Sequence, residues 1–157
     1  MTRDVRVLGI GNTLMGDDGV GVVVARCLAD LLPDDVTVVI GETAGMALEP
    51  HFEVADAIVV IDAIDAGEQP GAVYRFTPDE VGATQLRSNT VHGIGLPYLV
   101  TTSRMRGFHP EVIVYAVQVA DVRPSADALS PEVAEAVSEV TRMVADEVGR
   151  LRERATR

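Results

Sequence analysis

Two stretches and one histidine hold the residue types that could do chemistry. The segment Gly9-Ile10-Gly11-Asn12-Thr13-Leu14-Met15-Gly16-Asp17-Asp18-Gly19-Val20-Gly21 delivers two adjacent carboxylates from a glycine-rich loop to the start of a helix. A carboxylate at that place gains from the helix dipole, so Asp17 reads equally well as a cap or as a functional group, and Asp18 reads less well as a cap. Asp62 follows the apolar run Ala57-Ile58-Val59-Val60-Ile61. A carboxylate in such surroundings is costly to desolvate without a partner, which sets it above Asp65, a solvated turn residue. Of the three histidines, His51 (between Pro50 and Phe52) and His109 (before Pro110) read as packed or surface residues. His92 lies in Ser88-Asn89-Thr90-Val91-His92-Gly93-Ile94-Gly95-Leu96, where a helix should start. A loop histidine on its own is more often incidental than a ligand. Together, however, Asp18, Asp62 and His92 form an oxygen–oxygen–nitrogen group suited to a borderline divalent ion such as nickel, zinc or cadmium. Open coordination positions would remain for a substrate. Spacing alone does not establish that the three converge.

Other chemistries fail on residue type. All 13 basic residues are arginine, which excludes a Walker lysine, a Schiff base and a lysine base. The dinucleotide fingerprint G-x-G-x-x-G fails at Leu14, and the stretch to the next helix is too long for its tight turn. No G-x-S-x-G elbow and no H-E-x-x-H zinc motif occurs. The one cysteine, Cys27, falls on a helical apolar stripe and reads as core; alone it forms no intramolecular disulfide and fits a reducing compartment. With no signal-peptide pattern at the start and no apolar run near the roughly 20 residues of a membrane span, a cytoplasmic protein is expected. A formal charge of −11 argues against nucleic acid and against acidic membranes as partners.

The elements that must position these groups alternate between two periods. Residues 5–10, 36–40, 57–61, 72–76 and 112–117 read as strands, the fourth as an edge strand open to antiparallel pairing. Residues 20–32, 46–52 and 93–106 read as helices, with Pro97 tolerable only in a first turn. The clearest helix begins at Ser130 as cap and Pro131 as first residue, with Val133, Val137, Val140, Val144, Val148 and Leu151 as its stripe. Such alternation predicts one domain over residues 1–157, a three-layer α/β/α sandwich on a mostly parallel five-stranded sheet with one antiparallel edge strand. In this class functional groups gather beyond the carboxyl ends of the strands, where Asp17, Asp18 and Asp62 fall.

The residues also carry a family likeness along nearly the whole chain. Gly9 to Gly21 resembles the amino-terminal signature of the hydrogenase maturation endopeptidases, in which G-x-G-N is followed by D-[DE]-x-x-G. Glu42-Thr43-Ala44-Gly45-Met46 resembles the family's T-A-G-M segment, Ile61-Asp62-Ala63 its D-A element, and Ser88 to Leu96 its S-x-x-x-H-x-x-x-L element. The first motif is quite specific; the other three are weak alone and strong together. The family's metal-contacting positions fall on Asp18, Asp62 and His92. Asp18 stands where Glu is common, one methylene shorter, and Glu42 stands where small residues are common.

The resemblance implies an endopeptidase that removes the C-terminal extension of a nickel–iron hydrogenase large-subunit precursor. The nickel would arrive with that substrate, and zinc or cadmium could occupy the same group. Either the metal polarises the scissile carbonyl or activates water, or it serves only recognition while a carboxylate such as Asp17 or Asp62 acts as base. Asn12 and the loop holding Thr43, Ala44 and Gly45 are expected to shape the cleft for the tail. A nickel-binding accessory protein that does not cleave would keep the same residues. A magnesium-binding receiver domain would need a lysine that this chain lacks, and a nucleotide-binding enzyme the glycine fingerprint that fails.

Overall fold

The computed structural model describes residues 2–42, 45–80, 95–124 and 129–154. The strands are β1 (Val5–Ile10), β2 (Thr37–Glu42), β3 (Ala57–Ile64), β4 (Val73–Phe76) and β5 (Glu111–Gln118). The helices are α1 (Val20–Leu31), α2 (Glu49–Val54), α3 (Gly95–Met105) and α4 (Pro131–Glu153), and 3-10 turns over Gly16–Gly19 and Gly45–Leu48 lead into α1 and α2. The five strands form one sheet in the order β2-β1-β3-β5-β4, parallel throughout except for the antiparallel β4–β5 pair at one edge. This is the mostly parallel sheet, with helices around it, that the alternation predicts.

Side chains of successive strand residues enter opposite layers, as the twofold strand period requires. Val7 and Val59 join Val24 and Leu28 of α1 and Val140, Val144 and Leu151 of α4. Leu8 and Val60 join Phe52 of α2 and Leu96 and Leu99 of α3 on the other face. Every residue of β3 is buried, the pattern of a parallel strand covered on both faces.

Most boundaries differ by a few residues from the sequence reading, the short helix lying at Glu49–Val54 instead of 46–52. β3 continues past Asp62 to Ile64 because β5 runs on beside it, pairing Asp62 with Ala116 and Ile64 with Gln118. β2 likewise runs on to Glu42. In α1 the stripe ends before the helix does: Val20, Val24 and Leu28 are buried, but Leu31 is 66% exposed and Val23 and Cys27 are half-buried. In α4, Ser130 and Pro131 take the expected cap and first positions, yet no helix amide bonds to the serine side chain. Its hydroxyl goes to Asp17 instead.

One glycine contact sets the height of α1 over the sheet. A Cβ on Gly21 would lie 2.3 Å from the Ile61 carbonyl oxygen and 2.4 Å from that of Ile10. Only a residue without a side chain lets the first turn of α1 settle on the carboxyl ends of β1 and β3. The Asp17-Asp18 turn arrives there with it.

Candidate active site

From β1 the chain passes through α1 to β2, then returns through α2 to β3 on the other side of β1. Because α1 and α2 cover opposite faces, the connections diverge between β1 and β3. That divergence marks the crevice position beyond the carboxyl ends of these two strands, where open α/β sheets present ligands. Asp18 lies in the turn that follows β1, and Asp62 lies near the carboxyl end of β3. The Gly16–Gly19 turn packs against β3, and both carboxylates are almost fully enclosed, Asp18 at 3% and Asp62 at 4% exposure.

Local hydrogen bonds orient them. Asp18 Oδ2 accepts the Asn12 backbone N–H at 3.0 Å, and Asp62 Oδ1 accepts the Ala63 N–H at 2.8 Å. The Asn12 side chain works within the loop, its Oδ1 accepting the Leu14 N–H at 2.9 Å. The expected ligand His92 and the expected cleft residues Thr43 and Ala44 lie outside the described residues, and of Glu42, Gly45 and Met46 only the backbone is described. Asp18 and Asp62 thus both lie at the carboxyl end of the sheet. Among the described residues no three His, Cys, Asp or Glu side chains form a metal-holding group.

Asp17 faces elsewhere. Fully buried, it accepts the N–H groups of Ala120 and Asp121 and the Ser130 hydroxyl on Oδ2, and the Ser130 N–H on Oδ1, all within 2.7–2.9 Å. It does not cap α1, whose N-cap is Gly19 with no side-chain bond. The sequence offered no signal for this arrangement, since Asp17 and Ser130 are brought together only by the tertiary fold.

Gln118 is a second residue the sequence reading missed. Buried at the end of β5, it accepts the Ala66 N–H on Oε1 at 2.9 Å and donates to the Val119 carbonyl at 3.0 Å, pinning the loop after β3. Its position at the end of an apolar strand, like that of Asp62, is the signal that could have found it.

The other candidates take ordinary roles. His51 Nδ1 lies 2.8 Å from an Arg6 guanidinium nitrogen, and burial, reinforced by the Arg6 charge, holds its imidazole below its usual range. His109 lines a recess of about 780 Å³ with Arg3, Asp56, Glu111 and Arg154. That recess opens at the amino ends of the strands, away from the crevice, and its arginines are paired with Glu111.

A family model described as hydrogenase maturation protease matches residues 22–147. The chain belongs to the hydrogenase maturation protease family. The hydrogenase expression/formation protein HupD of Rhodobacter capsulatus is 33% identical over 134 residues, which cover 83% of this chain but only 64% of that protein. A putative hydrogenase maturation protease of Methanocaldococcus jannaschii is 31% identical over 93% of this chain and 97% of its own length. Among solved structures, the hydrogenase maturating endopeptidase HybD of Escherichia coli superposes with a TM-score of 0.84 at 27% identity, covering 94% of this chain and 93% of that one. Among the described residues no helix is long and apolar enough to cross a membrane.

Proposed function

We propose that this family member is an endopeptidase that removes the C-terminal extension from a hydrogenase large-subunit precursor already loaded with nickel. The observation that carries the reading is the pair of enclosed carboxylates, Asp18 and Asp62, held at the switch point of the sheet. With the His92 imidazole they supply the oxygen and nitrogen donors that a borderline divalent ion accepts. The nickel comes as part of the substrate, so a precursor without it docks without its anchor. Zinc or cadmium would bind the same donors in the isolated protein.

Hydrolysis needs a base for the attacking water and a proton for the departing amine. We assign the first role to Asp62 rather than Asp17, because the two oxygens of Asp17 are already engaged by donors of the β5–α4 connection. We assign the binding of the extended tail to Asn12, Thr43, Ala44 and Gly45. The reaction belongs in the cytoplasm, which a lone cysteine fits.

The test is the intact mass of a precursor from the same source, incubated with the protein with and without nickel. Loss of a C-terminal peptide from the loaded form alone supports both the activity and the metal requirement. Cleavage of both forms removes nickel recognition. A loaded precursor that binds but stays whole turns the reading into that of an accessory protein.

A further inference from the structure

We infer that Asp17 is a positioning residue: its carboxylate ties the β5–α4 connection to the Gly16–Gly19 turn and so fixes the neighbouring Asp18 carboxylate at the crevice. The assignment rests on the reading of Asp18 as a site residue. The tie is made from both sides. Three backbone amides and one hydroxyl converge on the Asp17 oxygens, and the Asp17 N–H returns a bond to the Asp121 carbonyl at 2.9 Å. Gly16 sits at φ +58°, and a Cβ there would lie 2.9 Å from that same carbonyl oxygen, so the turn and the connection touch backbone to backbone.

Hydrogen bonds to an ionised acceptor are the strong, short kind, and here four donors share two oxygens. Moving this carboxylate would leave buried amides without an acceptor. Asp18 is the next residue on the same turn, linked through one planar peptide, and its Oδ2 meets the Asn12 amide. A shift of Asp17 therefore reaches Asp18 directly, while Asp62, held on β3 by its own bond to Ala63, stays in place. Residues that hold ligands in this way commonly change affinity or rate by about ten- to hundredfold when altered.

The decisive variant is Asp17→Asn, which keeps the shape but turns an NH₂ group toward the converging donors. The Asn12 amide signal in a proton–nitrogen correlation spectrum reports Asp18, and the Ala63 amide reports Asp62. The expected result is a displaced Asn12 signal whose exchange with solvent quickens about tenfold, beside an unchanged Ala63 signal. In precursor processing KM for the nickel-loaded form rises about ten- to hundredfold, because Asp18 is read as part of the anchor for its nickel. Ser130→Ala, which removes only the hydroxyl, moves the Asn12 signal in the same direction by less, and decides the matter alone if Asp17→Asn fails to fold. An unmoved Asn12 signal overturns the inference, and so does equal loosening at Asn12 and Ala63, which marks a merely structural strut. The amide readout needs neither metal nor substrate. A wild-type protein that cleaves nothing would end the protease reading and leave this one standing or falling by itself.

Discussion

Two buried acidic clusters solve the same problem in different ways. Glu147 of α4 is 1% exposed beneath the sheet, and Asp17 is fully buried at the carboxyl ends of the strands. Glu147 is met by cations. Arg75 Nε donates to it at 2.6 Å and Arg150 Nε at 3.2 Å, with the Tyr115 hydroxyl at 3.3 Å. Burial pushes the Glu147 carboxyl up, but the Arg75 hydrogen bond and charge, helped by Arg150, outweigh it and hold the group below its usual range. Burial and the Glu147 charge push the Tyr115 hydroxyl up. Asp17 is met by three amides and one hydroxyl, donors without net charge. Amides satisfy a carboxylate while leaving the local charge negative, whereas arginines cancel it. The first solution stands at the carboxyl end of the sheet, the second in the wall between helix and strand.

That contrast can be broken from either side. The largest effect belongs to the crevice. Asp62→Ala and His92→Ala should each lower precursor processing by about a thousandfold, with the circular dichroism spectrum retained. Full activity in either would remove that residue from the reaction. Next, Arg75→Ala should cost about 3 kcal/mol of stability in denaturant melts by leaving Glu147 under-compensated. Processing well below the transition should stay at the wild-type rate, because this cluster does not adjoin the crevice.

A smaller effect concerns pH. A carboxyl whose folded value is depressed stabilises the protein above its unfolded value, and that contribution is lost as pH falls through the folded one. For Glu147 the loss sets in as pH drops below its ordinary 4.5. Thermal melts across that range should show a flatter acid limb in Glu147→Gln than in the wild type, and parallel limbs would refute the coupling. The smallest effect is at the surface. Arg104 holds Asp79 in two bonds of 2.9 Å and keeps its carboxyl below the usual range by hydrogen bond and charge, yet Asp79 is 72% exposed. Solvent screens such a pair, so Asp79→Ala should leave the melting temperature unchanged.

Much of the molecule was legible in the chain itself. The period-two runs of β1, β3 and β5 and the Val133-to-Leu151 stripe of α4 fixed the elements, because burying one face is a local pattern repeated along the chain. Asp18 and Asp62 stood out because a carboxylate beside an apolar strand has an energetic cost that residue types alone reveal. The family likeness added His92 to those two as an expectation that spacing alone did not supply, and His92 lies outside the described residues. Strand ends were harder: the reading stopped β3 at Ile61, whereas β5 carries the ladder on to Ile64. The partners of Asp17, Gln118 and Glu147 were invisible for a deeper reason. Asp17 meets Ser130, and Arg75 meets Glu147, across chain separations of 113 and 72 residues. No local period encodes such meetings. They exist only once the sheet is assembled and α4 has docked on it, which is why the sequence named Asp17 but passed over Glu147, and the tertiary structure decided what each of them holds.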